Sequence, residues 1–408
     1  MDVRDLDQFL AAGALRLVLE LEPIDGANAK VMPPTFPDET RKAGTKNPPG
    51  HQVETYHEDG REKRRVLIDS VASQANRHEA ALVEARRDGR IAFPDLRIDL
   101  SGTDAPMDEL LVSELPHRLA DAILRDSDQD GTAFKDTSIG QAVVSARDAD
   151  LTAILEASPT TLLFGAWFSQ WKQPDPLKRQ RLVASEVWAR DAAIGQRVGS
   201  RIDPLGIRRL DIFERKGGGW TAWEEEAVQK ANKPKPYSAS KPSELNHGNV
   251  APSLEDFLGV TAARYDLRWG LSLAALRRLS FGGSGEDRTR RRTAGHRYLL
   301  ALALAARALT DEAGYAFRSR CDFLRKGAHR LDILRSGSEG IEATPVDLTV
   351  ENALAGLAAA TEAARASGFE LDDETGPART FAPNASLAGL IAKTKAVEAT
   401  IEPADDGG

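Results

Sequence analysis

The stretch DSVASQANRHEAAL, residues 69–82, decides how the rest of the chain is read. At 100° per residue it separates into two faces. Val71, Ala75, Leu82 and Ala85 share one arc, the ordinary core-facing stripe, and the pattern predicts a helix over about 66–87. Ser70, Ser73, Gln74 and Arg77 share another arc, with Asn76 at its edge. A solvated helix face is normally Lys, Glu and Asp. Short hydrogen-bonding groups around one guanidinium suit phosphate oxygens and sugar hydroxyls instead.

Upstream, ALRLVLELEPIDGANA (14–29) alternates Leu15, Leu17, Leu19 and Leu21 with Arg16, Val18, Glu20 and Glu22, a period of two that predicts a strand. Residues 26–65 are rich in Pro, Gly, Lys and Asp and carry no convincing period, so they are expected to form a loop or irregular projection. Downstream, FPDLRIDLS (93–101) reads as a short strand, and MDELLVSELPHRLADAILRD (107–126) as helix with a break at Pro116. SPTTLLFGAWFSQW (158–171) reads as a buried strand ending in a turn, with Trp167 and Trp171 flanking Phe168. Trp167 is a candidate stacking platform for a base.

RLVASEVWA (181–189) is a second strand, and 216–253 is an extended basic projection dominated by Gly, Lys-Pro, Ser and Asn. SLAALRRLSF (272–281) precedes an arginine-rich glycine loop, GGSGEDRTRRR (282–292), and 294–310 is apolar almost all round, hence a buried helix. In GYAFRSRCDFLRK (314–326), read as one strand, Tyr315, Phe317, Cys321 and Phe323 point one way and Arg318, Arg320 and Asp322 the other. From about 336 the chain turns acidic, with one helix over 350–366 and a disordered end.

A chain of 408 residues with 28% charged residues and no long apolar run is globular in composition. The longest apolar stretch, LLALALAARAL (299–309), is interrupted by Arg307 and too short for a bilayer. The single cysteine, Cys321, excludes an intrachain disulfide, and MDVRDLDQFL is no signal peptide; both fit the cytoplasm. The net charge of −8 hides a division: residues 336–408 hold 13 acidic and 4 basic groups, whereas 264–335 hold 16 basic and 7 acidic. A second basic region covers 177–216. Arginine dominates both, and its planar fork reads phosphate.

Other chemistry finds little support. DSDQDGTAFKDT (126–137) has the acidic order of a calcium loop, but Thr137 stands where a bidentate Glu is needed, so it reads as a flexible acidic loop. GGSGE (282–286) fails as a nucleophile elbow, no phosphate-cradling GxxxxGK[ST] or dinucleotide fingerprint occurs, and no histidines pair at helical spacing for zinc. His78 reads as a packed histidine. The arginines Arg288, Arg290, Arg291 and Arg292, repelling one another without a counterion, point to anion binding. No cofactor and no metal are expected.

Several pieces in order, LEPIDGANAKVMPPTFP, VLIDSVASQANRHEAAL, SPTTLLFGAWFS, ASEV…SRIDPLGI, NHGNVAPS, LSLAALRRLSF and FRSRCDFL, resemble the backbone subunit of type I-G (formerly I-U) CRISPR surveillance complexes, the "Cas seven" branch of the RAMP superfamily. The resemblance runs discontinuously from about 14 to 326. It implies an α+β fold: a modified RRM-like (ferredoxin-like) palm over residues 1–335, with 26–65 and 216–253 as finger and thumb insertions and 336–408 as an acidic C-terminal region. It implies a non-catalytic subunit that lines up along guide RNA and presents it to a target DNA strand, beside other copies of itself and other Cascade subunits, the Cas-five, Cas-six and large-subunit types, with no membrane. Lys30, Ser70, Ser73, Gln74, Asn76, Arg77, Arg277, Arg278, Arg288, Arg290, Arg318 and Arg320 are the implied RNA contacts. The alternatives are a RAMP-type endoribonuclease, with Asp69 the residue to test, and a generic arginine-rich nucleic-acid scaffold.

Overall fold

The computed structural model describes residues 6–36, 50–167, 178–327, 330–372 and 379–400. It is a mixed α+β protein in two units: one holds the chain up to Ala193 and again from Val260 to Ala392, the other Ile194–Gly259 and the segment from Lys393.

The first unit is built on β1 (Ala14–Pro23), β2 (Val53–Glu58), β3 (Arg61–Asp69), α1 (Val71–Arg87), β4 (Val183–Arg201) as far as Ala193, β5 (Val250–Ser272) from Val260, α2 (Gly285–Ala313), β6 (Tyr315–Arg318), β7 (Cys321–Lys326), β8 (Leu331–Gly337), β9 (Gly340–Val346) and α3 (Val350–Ala366). Among the described residues nine strands form one sheet in the order β6-β7-β1-β5-β4-β3-β2, with β8 on β1 and β9 on β8. The expected β1 is borne out in register. Leu17 lies opposite Trp269 and Leu19 opposite Leu267, all buried, while Val18 faces Arg268 on the other side. Each leucine of that inward row contributes about 1.5–3 kcal/mol by leaving water. The helix α2 is buried from Ala294 to Thr310 and packs on both α1 and α3.

Several expectations are corrected. The helix predicted from about 66 starts at Val71, because VLID completes β3 and Ser70 caps the helix by accepting the Ser73 N–H at 3.2 Å. The periodless stretch 26–65 ends in the β2–β3 hairpin; residues 37–49 lie outside the described part. Residues 107–126 hold a short strand (Glu109–Leu111), two 3-10 turns and one helical turn (Ala122–Arg125) rather than a broken helix. The acidic loop at 126–137 is a hairpin, Ser127–Gln129 against Thr132–Ala133, turned by Asp130 and Gly131, both at positive φ. TTLLF (160–164) is helical, and of the described residues in that stretch only Ala166–Trp167 is strand. Residues 314–326 form the β6–β7 hairpin, reversing at Ser319 and Arg320, the latter at φ 58°. The glycine loop ends at Ser284, so its arginines ride the first turns of α2.

The helix expected over 350–366 is α3, with Thr349 as its cap. Residues 336–392 belong to the first unit, and Thr380–Pro383 joins a small sheet with Arg97–Asp99 and Ser127–Gln129. The second unit replaces the expected extended projection with two small hairpins, Phe213–Glu214 with Trp220–Thr221 and Gln229–Lys230 with Lys233–Pro234. Asp203 ties its chain ends by accepting the N–H groups of Leu205, Ile207 and Gly248, which hold its carboxyl below the ordinary range.

Candidate nucleic-acid interface

The polar face of α1 is engaged from within. Asp69, the last residue of β3, is buried and accepts from Gln74 Nε2 at 2.6 Å and Arg77 Nε at 3.0 Å. Gln74 is only 1% exposed, and its Oε1 accepts from Ser185 on β4 at 3.0 Å. Both ends of that amide are spent inside the protein. Arg77 reaches further: Nη2 donates to the Phe317 carbonyl at 2.8 Å, Nη1 to the Ala316 carbonyl at 3.3 Å, and the guanidinium lies 4.9 Å from the Phe317 ring. Arg77 therefore braces hairpin β6–β7 against the start of α1. Ser70 and Ser73 are half-buried beside it.

What that brace presents is the hairpin tip. Arg318 and Arg320 are exposed, and among the described residues neither has a hydrogen bond or ion pair from its side chain. The Arg320 carbonyl accepts from Met32 N at 2.9 Å, and Ile24 N donates to Asp322 O at 3.1 Å. The segment carrying Lys30 thus runs alongside the tip, held also by the Val31–Val260 bridge. Beneath the tip lies the free thiol of Cys321, which burial pushes up to about 12, so it stays protonated.

Asn76 faces elsewhere. It lines a groove of about 380 Å³ with Trp167, Arg179 and Arg181, and Trp167 also borders a second groove of about 450 Å³ with Lys178, Arg179, Gln180 and Arg278. Trp167 is 62% exposed, not buried as a strand-end aromatic would be. Its companions Phe168 and Trp171 lie outside the described residues.

The remaining arginines divide. Arg277 donates to the Leu10 and Ala12 carbonyls at 2.7 and 2.6 Å, and Arg291 to Phe281 O while stacking on Phe369; both are structural. Arg288 and Arg290 face solvent on the first turns of α2, with Arg290 paired to Asp287 at 2.6 Å. Among the described residues they share no contact with the hairpin tip or the Trp167 grooves.

One basic surface escaped sequence reasoning. On the face of the sheet opposite the leucine row, Arg190, Arg264 and Arg268 surround Asp266, which is only 3% exposed; Arg264 lies at 2.8 Å from it and Arg268 at 3.3 Å. Glu58 bridges Arg190, Arg264 and Lys63, and Arg190 stacks on Tyr56 at 3.9 Å. Lys63 also pairs with Asp191 at 3.6 Å, so four cations share three carboxylates there. The alternation in RYDLRW (264–269) was the available signal.

The part of the chain that carries this sheet and α1 is similar in sequence to CRISPR-associated proteins. Residues 15–194, from β1 through α1 to β4, match the family described as CRISPR-associated protein GSU0053. A comparison with curated proteins finds no match. Among the described residues no helix is long and apolar enough to cross a membrane.

Proposed function

We propose that this chain is a non-catalytic backbone subunit of a type I CRISPR effector complex, in the "Cas seven" branch and of the I-G type. It lines up with other copies along the guide RNA in the cytoplasm, alongside other Cascade subunits, and leaves the bases free to pair with target DNA. The β1–β7 sheet region with α1 and α2 serves as the RRM-like palm. The observation that carries this reading is the hairpin tip: two exposed, unpartnered arginines, Arg318 and Arg320, fixed by the Arg77 brace next to the segment of Lys30. Arginines held in place without a carboxylate partner are poised for phosphate, and fixing them beforehand lowers the entropy cost of binding.

The rival reading as an endoribonuclease needs a general base or metal ligand within reach of a phosphate. Asp69, the residue best placed in sequence for that role, is buried and spends one oxygen on both Gln74 and Arg77. That commitment favours a structural role.

The test is co-expression with the neighbouring operon proteins and a repeat–spacer array, followed by a denaturing gel of the extracted nucleic acid. A discrete guide-length RNA in a complex with many copies of this chain is expected. With Arg318→Glu/Arg320→Glu the RNA is lost at moderate salt while the fold is retained. In a binding titration the variant's salt slope falls by roughly 0.7 for each phosphate contact removed. Clean protein from the wild-type complex overturns the reading.

A further inference from the structure

Gln74 sets a puzzle for the helix that carries it. At 1% exposure an apolar side chain would serve the core at lower cost than an amide, which has to be paired at both ends. This amide is paired at both ends. Its Oε1 accepts from Ser185 Oγ on β4 at 3.0 Å, and its Nε2 donates to Asp69 Oδ2 at 2.6 Å. The same Asp69 oxygen accepts from Arg77 Nε at 3.0 Å, and the two ends of the guanidinium run on to the carbonyls of Ala316 and Phe317. Four side chains, Ser185, Gln74, Asp69 and Arg77, thus form one unbroken line of hydrogen bonds from β4 to the hairpin β6–β7.

The sheet is shaped to carry that line. Asp69 lies opposite Val187 and Leu67 opposite Trp188, so Ile68 is an extra residue on β3. Such a bulge breaks the alternation of a strand and re-aims the side chain beyond it. Val66, Leu67, Ile68 and Asp69 are buried in succession, and the Asp69 carboxylate turns to α1. Ser185, itself buried, stands on β4 just before the residue that faces Asp69.

Each link fixes the next. Gln74 and Arg77 share one carboxylate oxygen, so the amide limits the rotation of Asp69, and Asp69 in turn sets the plane of the guanidinium. That plane decides whether Nη1 and Nη2 meet two neighbouring carbonyls together. Directly beyond those carbonyls come Arg318 and Arg320, exposed and without a side-chain partner among the described residues. Among the described residues no hydrogen bond joins Ser185, Gln74 or Asp69 to the hairpin; their hold on it passes through Arg77.

We propose that Ser185 and Gln74 are positioning residues: acting through Asp69 and Arg77, they hold Arg318 and Arg320 in the arrangement that meets the RNA backbone. The inference rests on the RNA-binding reading above and gives two buried residues that touch no phosphate a role within it. Fixing the mount of a long side chain beforehand removes an entropy cost that binding would otherwise bear, and it leaves the number of charges unchanged. Loss of a link therefore weakens binding without changing its dependence on salt.

The experiment titrates the full-length chain into a fluorescein-labelled single-stranded RNA by anisotropy at several salt concentrations, and follows amide hydrogen exchange of the free protein over the β6–β7 hairpin. Gln74→Met and Ser185→Ala are each expected to weaken binding about fivefold, with the slope of log affinity against log salt equal to that of the wild type. In an Arg318→Ala/Arg320→Ala background, Gln74→Met should weaken binding no further, because its route to the RNA is gone. Exchange over the hairpin should quicken in both variants while the rest of the sheet keeps its protection. A Gln74→Met loss of equal size with and without the two arginines overturns the relay as general damage to the fold, and a flatter salt slope overturns it as a direct phosphate contact. Hairpin exchange or RNA affinity that neither variant changes overturns the relay and spares the backbone reading. No RNA on the wild type, together with no guide in the co-expressed complex, overturns both.

Discussion

Replacing Arg118 by Met strands Glu79. The two side chains form a bidentate pair, Nε to Oε1 and Nη2 to Oε2, each at 2.5 Å, with Arg118 3% and Glu79 1% exposed. Burial pushes the Glu79 carboxyl up to about 7 even against the pull of Arg118, so the site is already hostile to its charge. Removing one member of a buried pair costs about 3–5 kcal/mol, because the other charge is left without compensation. Arg118 sits at φ 54°, and Met inherits that backbone without added strain beyond what Arg118 bears. Replacing both members with apolar residues, Arg118→Met/Glu79→Leu, removes the buried charge altogether and should return to within about 1–2 kcal/mol of the wild type. The assay is urea unfolding of the full chain followed by tryptophan fluorescence.

The single variant also acquires a pH signature. Its Glu79, raised still further than the value of about 7 it has beside Arg118, contributes stability that is full below 4.5 and lost as pH rises toward that higher pKa. Arg118→Met should therefore be damaged less in mild acid than in mild base. A single variant no worse than the double, or one whose deficit is flat with pH, refutes the buried-charge argument.

Two further outcomes follow from groups nearby. His78 is buried, with Nδ1 2.8 Å from Thr310 Oγ1; desolvation, with Arg307 adding to it, holds its pKa well below 6.5. The unfolded chain takes up a proton near 6.5 that the folded chain refuses, so stability is present above that pH and lost as pH falls below it, by about 1.4 kcal/mol per unit; His78→Leu should remove that increment in acid urea titrations, and identical slopes would disprove it. Gly165→Ala places a methyl where Arg179 O and Arg181 Cγ stand at 2.9 Å, on a backbone at φ 83°. It should cost about 1–3 kcal/mol in urea unfolding; a Gly165→Ala protein of unchanged stability would contradict the close approach read here.

Much of the sheet was legible because its residues obey the pleat. Leu15 to Leu21 alternate with only Val18 out of pattern on the outward row, and α2 is apolar over more than four turns, too continuous a run to read as a half-buried strand. The misreadings share a cause. TTLLF is apolar and β-branched, and periodicity cannot separate a short buried helix from a buried strand. Gly165, which ends that helix at positive φ, was the available signal. In 314–326 the inward parity of Tyr315, Phe317, Cys321 and Phe323 continues across a reversal, and Arg320 takes the left-handed position where Gly or Asn would have announced a turn. The Asp130–Gly131 pair did announce one, within a stretch read only as a flexible acidic loop.

The candidate site was legible only as chemistry, not as allocation. A helical wheel places Ser70, Ser73, Gln74 and Arg77 on one arc but is silent about what stands opposite. What stands opposite Arg77 is Asp69, eight residues back, and two carbonyls some 240 residues ahead. What stands opposite Gln74 is Ser185. The sequence therefore shows an arginine suited to phosphate, and only the fold shows that its donors are already used. This bears on how the function is tested. Loss of RNA in an Arg77→Ala variant would report a hairpin tip that has lost its brace, with Asp69 left buried beside Gln74 alone. Arg318 and Arg320 give up no internal partner when changed, so loss of RNA in their variants isolates the contact from the scaffold that presents it.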